Sequence, residues 1–215
     1  MTAKTIKIDI VSDVVCPWCI IGYRRLEAAL EQVQGSLTPE ITWHPFELNP
    51  KMPQGGQHLR EHLAEKYGTT LPQSKAVRQQ ITDIGQELGF TFSFSDEMRI
   101  YNTFKAHQLL HWAKEYDKQH DLKMFLFSFY FTDGQAIDQQ ETLINAVESV
   151  GLNPREAIQI LEEGTYVDEV RTDLKKWLNK GIYAVPAFII NDEFLVSGAQ
   201  RTGSFLKIFE KLQDT

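Results

Sequence analysis

Val15-Cys16-Pro17-Trp18-Cys19 is the stretch on which the reading of this chain turns, and it holds both cysteines of the protein. Upstream, Thr5 to Val11 alternates like a strand, with Ile6, Ile8 and Ile10 on one face and mostly polar residues between them. Ser12-Asp13 breaks that pattern. From Cys16 the period becomes helical, through Ile20, Tyr23, Leu26, Ala29, Leu30 and Val33, and Gly35 supplies a stop. Pro17 suits a first turn, where a backbone N–H has no intrahelical use. A C-x-x-C at a strand–helix junction puts two sulfurs within disulfide reach and turns the first toward the helix N-terminus, whose N–H groups favour a thiolate. The expectation is an exposed, nucleophilic Cys16 with its pKa lowered below that of a free thiol. Cys19 then resolves the mixed disulfide. Trp18 adds neither donor nor charge, so the lowering should be smaller than where histidine stands between the cysteines.

The rival reading of the pair is half a zinc site. Structural zinc needs four ligands, and neither His44 nor His107 has ligand spacing to the motif. Two neighbouring cysteines cannot staple a chain of 215 residues, so a disulfide framework is excluded. The net charge of −7, without any Lys/Arg-rich run, argues against nonspecific nucleic-acid or anionic-membrane binding. An apolar share of 42% is enough for a sizeable core. Residues 1–10 lack the continuous apolar core of a signal peptide, and no apolar run approaches the roughly 20 residues of a membrane span. A soluble, cytoplasmic protein is expected.

A second strand is expected over Glu40–Leu48, with Pro45 at an edge or a strand end because it cannot donate to a ladder. Asn49 to Gly56 is a loop. Helical patterns then run near 57–67, 73–88, 99–118, 120–131, 139–150, 154–162 and 166–179, with breaks at glycines and at Asn153-Pro154. Phe125, Phe127, Phe129, Tyr130 and Phe131 form an aromatic run whose alternation also fits a strand; core packing is its default. Val185–Ile190, the turn Asn191-Asp192 and Glu193–Val196 make a hairpin, and a short amphipathic helix closes the chain. The ends complete one another as a single mixed sheet flanked by helices. The expected class is α/β, with a discontinuous domain of residues 1–50 and 165–215 and an all-helical insertion of residues 51–164.

Val185-Pro186 is compatible with a cis or a trans peptide on local chemistry. A cis-proline loop beside the cysteines would leave the Val185 backbone groups free to pair with an extended substrate strand. Two histidine pairs, His107/His111 and His58/His62, have i, i+4 spacing but lack the intervening glutamate of a metalloprotease helix, so solvated or packing roles are expected.

Several stretches together resemble the DsbA-like thioredoxin superfamily, most closely its cytoplasmic FrnE-type branch. They are Asp13 to Gly22, Trp43-His44-Pro45-Phe46-Glu47-Leu48-Asn49-Pro50, Asn102 to His107, Gly181 to Phe188 and Ser197-Gly198-Ala199-Gln200. The resemblance covers essentially the whole chain. It implies a thioredoxin fold with a helical insertion, disulfide oxidoreductase or isomerase activity on protein or peptide substrates, and a cis Pro186. Cys16 and Cys19 are then catalytic, and Pro17, Trp18, Val185 and Pro186 contact substrate. Asn102 and His107, on the third helix of the insertion, are further candidates; the plainer reading makes them hydrogen-bonded helix residues. Kappa-class glutathione transferases and 2-hydroxychromene-2-carboxylate isomerases, relatives in this superfamily, carry serine in place of Cys16 and lack the second cysteine. Glutathione-dependent chemistry on small aromatic molecules is therefore the alternative, and a metal-binding or redox-sensing module a third. No cofactor or metal is expected, with glutathione as a conceivable redox partner. A homodimer is compatible with the sequence, though no residue demands one.

Overall fold

In the computed structural model, which describes residues 3–213, the chain begins with β1 (Lys4–Ser12), α1 (Pro17–Gln32) and β2 (Leu37–Pro45). There follow β3 (Gln57–His58), α2 (Leu59–Tyr67), α3 (Leu71–Glu87), β4 (Arg99–Ile100) and α4 (Phe104–Ala113). After a 3-10 turn at Lys114–Tyr116 come α5 (Gln119–Phe131), α6 (Gln140–Ser149), α7 (Pro154–Glu163) and α8 (Val167–Asn179). The chain closes with β5 (Ala187–Ile190), β6 (Phe194–Ser197) and α9 (Thr202–Gln213). It divides into two compact units, Met1–Phe46 with Thr172–Thr215, and Glu47–Arg171.

The first unit is built on a four-stranded sheet in the order β2-β1-β5-β6. β1 runs parallel to β2, with Ile10 opposite Trp43, and antiparallel to β5, with Ile10 opposite Phe188 and Val11 opposite Ala187. β5 and β6 form the closing hairpin. Asn191 and Asp192 both take positive φ, 51° and 57°, and Glu193 N–H donates to the Ile190 carbonyl at 3.1 Å. Asn and Asp tolerate that conformation better than other non-glycine residues. Pro45 falls at the end of the edge strand β2, where its missing N–H breaks no ladder.

Because side chains alternate across a strand, Ile10 and Phe188 share one face and Val11 and Ala187 the other. Phe188 meets Phe205 of α9 edge-on, with ring centroids 5.1 Å apart. On the other face Val11 and Ala187 pack with Trp177 of α8 and with Ile182. Both faces are therefore covered, and the other residues of β1 are not all solvent-facing: Asp9, between two isoleucines, is buried, as are Val11 and Ser12 beyond them.

The second unit is helical apart from the small β3–β4 pair. Its core gathers Phe90, Phe92 and Phe131, with Phe92 and Phe131 at 5.1 Å between centroids. The aromatic run lies in α5, where Leu122, Leu126, Phe127, Tyr130 and Phe131 are buried at helical spacing, so its alternation was not that of a strand. Two expected helices start later than the sequence pattern. Residues 57–58 pair as β3, and the pattern over 99–118 splits into β4, α4 and the 3-10 turn. Asn102 therefore lies before α4, not on it. Its side-chain oxygen accepts the Phe104 N–H at 2.9 Å, giving the backbone a partner outside the helix and marking where the helix begins.

Candidate active site

β1 ends at Ser12, and the chain reverses through a turn closed by Cys16 N–H on the Asp13 carbonyl at 3.2 Å. Cys16 keeps extended backbone angles (φ −95°, ψ 109°) as the residue capping α1, with Pro17 in the first turn. Cys19 N–H donates to the Cys16 carbonyl at 3.1 Å, which places the two thiols on neighbouring positions of one helix start. Both are free thiols. Cys16 is only 4% exposed and Cys19 is fully buried, so the nucleophile candidate is more sheltered than expected; Pro17 and Trp18 are half-buried.

Across from the cysteines runs the segment before β5. The Val185–Pro186 peptide is cis. The Cys16 thiol points at the Val185 carbonyl, a long contact of 4.0 Å. The Pro186 carbonyl is taken by Gly198 N–H at 2.8 Å, and Arg25 of α1 donates to the Ala199 carbonyl at 2.6 Å, so the neighbouring turn is anchored to the cysteine helix. Gly22 lets that helix come close. A methyl group added there would sit 2.9 Å from the Phe188 ring and 3.1 Å from the Pro186 ring. The structure thus brings Cys16, Cys19, Pro17, Trp18, Val185 and Pro186 to one end of the sheet.

The electrostatics differ from the sequence expectation. The Cys16 thiol is pushed well above the ordinary thiol range, not below it, by its hydrogen bond with Cys19, by burial, and by negative charge on Cys19 and Asp13. The Cys19 backbone N–H is the opposing influence. The helix N-terminus falls short because Pro17 supplies no N–H and the Cys16 side chain makes no capping hydrogen bond.

Behind this end of the sheet lies a buried polar network that sequence reasoning missed. The His44 ring nitrogens meet Asp9 Oδ1 at 2.8 Å and Asp173 Oδ2 at 2.7 Å. Trp177 Nε1 donates to the other Asp173 oxygen at 3.0 Å, and its ring lies 4.7 Å from that of His44. Burial raises the pKa of Asp9, but hydrogen bonds from His44 and Lys7 outweigh it and hold the carboxyl at about 2. Trp177 belongs to the apolar cluster against which Val185 packs. The available signal was Asp9 itself, an acid between Ile8 and Ile10.

Asn102 and His107 belong to the second unit. Asn102, two residues before α4, accepts the Phe104 N–H and reaches the Pro50 carbonyl at 3.4 Å; His107 is a buried residue of α4. His58 accepts the Arg60 N–H at the start of α2, and His62 meets Gln57 at 2.9 Å. Among the described residues, no three His, Cys, Asp or Glu side chains are grouped so as to hold a metal ion.

A mixed sheet of this order, with a C-x-x-C at the start of the first helix, defines a thioredoxin-like domain. Residues 7–210 match the family model described as DSBA-like thioredoxin domain, and the chain belongs to that family. It is 30% identical over 208 residues to the uncharacterised protein YwbO of Bacillus subtilis, covering 96% of this chain and 95% of that protein. Among solved structures, a probable DsbA oxidoreductase of Streptomyces coelicolor superposes with a TM-score of 0.90 at 28% identity, over 96% of this chain and 89% of the other. The cytosolic disulfide reductase DsbM of Pseudomonas aeruginosa, solved with GSH, shares the fold at 15% identity and a TM-score of 0.66, over 97% and 100% of the two chains.

Proposed function

We propose that this chain is a thiol–disulfide oxidoreductase or isomerase acting on protein or peptide disulfides through Cys16 and Cys19. The observation that carries the reading is the pairing of two free thiols at the start of α1 with Cys16 facing the Val185 carbonyl. Cys16 forms the mixed disulfide with substrate, and Cys19, deeper in the helix, displaces the product. Val185 and Pro186 flank the substrate strand, with Pro17 and Trp18 on the helix side. Membership of a DSBA-like family supports thiol chemistry in general. In a reducing cytoplasm, the setting we assign, the resting pair is a dithiol and glutathione restores it.

Insulin reduction and reactivation of a scrambled disulfide protein, measured on wild type and Cys16→Ser, test the reading. Loss of both activities to the uncatalysed rate is expected in the variant. Equal activity in the two proteins would remove the cysteine mechanism, and saturable glutathione binding with turnover of a small aromatic substrate would replace it with the transferase reading.

A further inference from the structure

His44 presents both of its ring nitrogens to carboxylates, Nδ1 to Asp173 Oδ2 at 2.7 Å and Nε2 to Asp9 Oδ1 at 2.8 Å. All three side chains lie in the compact unit that holds the cysteines. A neutral imidazole has one N–H and one bare nitrogen, and a carboxylate only accepts. The two hydrogen bonds therefore need one proton more than a neutral ring and two carboxylates carry, and that proton belongs to the trio as a whole. Around the trio, Lys7 of β1 reaches Asp9 Oδ2 at 2.9 Å and is shared with Asp192 of the β5–β6 turn, while Lys176 of α8 stands 4.0 Å from Asp173. From here the contacts lead to the substrate segment. Asp173 Oδ1 accepts the Trp177 indole N–H at 3.0 Å, and the Trp177 ring lies 4.7 Å from that of His44. Trp177 holds the segment at both ends: its carbonyl accepts the Ile182 N–H at 3.0 Å, and its side chain belongs to the cluster against which Val185 packs. Val185 carries the carbonyl that faces the Cys16 thiol.

We propose that His44 is a positioning residue for disulfide exchange: through Asp173 and Trp177 it fixes the Val185–Pro186 segment beside which the substrate strand lies, and it does so only while the trio keeps its extra proton. The proposal rests on the thiol–disulfide reading above. When that proton leaves, one ring nitrogen meets a carboxylate oxygen lone pair to lone pair, at 2.7 or 2.8 Å and with water largely excluded. Whichever contact opens, α8 is no longer tied through His44 to β1. Trp177 then shifts, and the segment it supports loses its register with Cys16. No group in this series touches the reacting sulfurs, so His44 acts on how tightly substrate is held and leaves the bond exchange at Cys16 as it was. Rising pH weakens docking, opposite in sign to the gain in thiolate that the same rise brings to a cysteine.

Asp173→Asn separates the contacts from the proton. Its amide oxygen can still accept the Trp177 N–H while its amide N–H donates to a bare His44 nitrogen, so the same series closes without the extra proton. The readout is KM and kcat for reduction of a fluorescence-quenched disulfide peptide by the whole chain, with dithiothreitol as electron source, from pH 5 to 10. At pH 5 the two proteins should share one KM. With rising pH the wild-type KM should climb about tenfold above that of Asp173→Asn, within the roughly hundredfold that misplacement by about 1 Å can cost, while kcat stays alike. The His44 nitrogens of wild type should titrate by NMR over the same range, a measurement that needs no variant to fold. His44→Gln, whose amide donates from one atom only, should carry the raised KM at every pH. A wild-type KM that follows Asp173→Asn across the whole range would overturn the proposal, and so would His44 nitrogens that titrate with no change in KM. Failure of the underlying reading looks different: Cys16→Ser would keep its disulfide reductase activity.

Discussion

At the scale of single residues, the site depends on how closely one helix can approach one proline. Gly22 sits where any side chain would press on Phe188 and Pro186, so the distance between the cysteine helix and the Val185–Pro186 segment is set by the absence of a Cβ. Gly22→Ala has two opposed effects on stability: the helix gains up to about 1 kcal/mol of propensity, while overpacking costs about 1–3 kcal/mol. The Phe188 ring edge, fully buried between α1 and α9, has little room to yield. The expected outcome is a net loss of stability in chemical denaturation together with a several-fold drop in insulin reduction as Pro186 is displaced from Cys16. Unchanged activity and stability would show that the ring moves aside freely. Cys16 illustrates the same dependence on neighbours. Its place at a helix start suggested an easily ionised thiol, but burial, a partner thiol and Asp13 decide the matter the other way.

At the scale of elements, His44 ties β1, β2 and α8 together through Asp9 and Asp173. Removing one partner of a buried hydrogen bond, so that the other is left unsatisfied, costs about 1–3 kcal/mol. His44→Gln is therefore expected to lower stability by about 2 kcal/mol and to loosen Trp177 against Val185. The same network predicts an acid dependence. Asp9 has a folded-state pKa of about 2, below its ordinary value of 3.8, so the unfolded chain binds more protons between those values. This contribution to stability is present above about pH 4 and is lost as pH falls through the folded value near 2. Urea denaturation of wild type between pH 5 and pH 2 should show this loss, and His44→Gln should show less of it. Parallel curves for the two proteins would mean that His44 does not hold Asp9 ionised.

At the scale of the whole molecule, the chain divides at Phe46 and again within α8, between Arg171 and Thr172. The unit Glu47–Arg171 has a buried core of its own, including Phe90, Trp112, Phe127, Tyr130 and Phe131. Residues 47–171 expressed alone are expected to give a helical circular-dichroism spectrum and a cooperative thermal transition. A featureless melt would show that this core needs the rest of the chain. The first unit offers no such contiguous segment, since its parallel β1–β2 pair and its β5–β6 hairpin come from opposite ends of the sequence.

The sequence by itself determined most of the elements and their order, though not the short β3 and β4 strands. Strand alternation before Ser12, helical periodicity after Cys16, the Asn191-Asp192 turn and Pro45 at a strand end are local properties of a few neighbouring residues. The helical pattern over 99–118 misled because Asn102 diverts a backbone N–H to its own side chain, a hydrogen bond that hydrophobic spacing does not register. The C-x-x-C and the Val185-Pro186 pair were legible as candidates, though nothing local says that 169 residues of separation close to a 4.0 Å contact. Only the tertiary structure decided three things: that Cys16 is buried, that Asp13 and Cys19 oppose its ionisation, and that Asp9, His44, Asp173 and Trp177 form one network. The first two depend on the exclusion of water and the third on distances between groups far apart in the chain, and both arise only once the sheet has closed between its two helical layers.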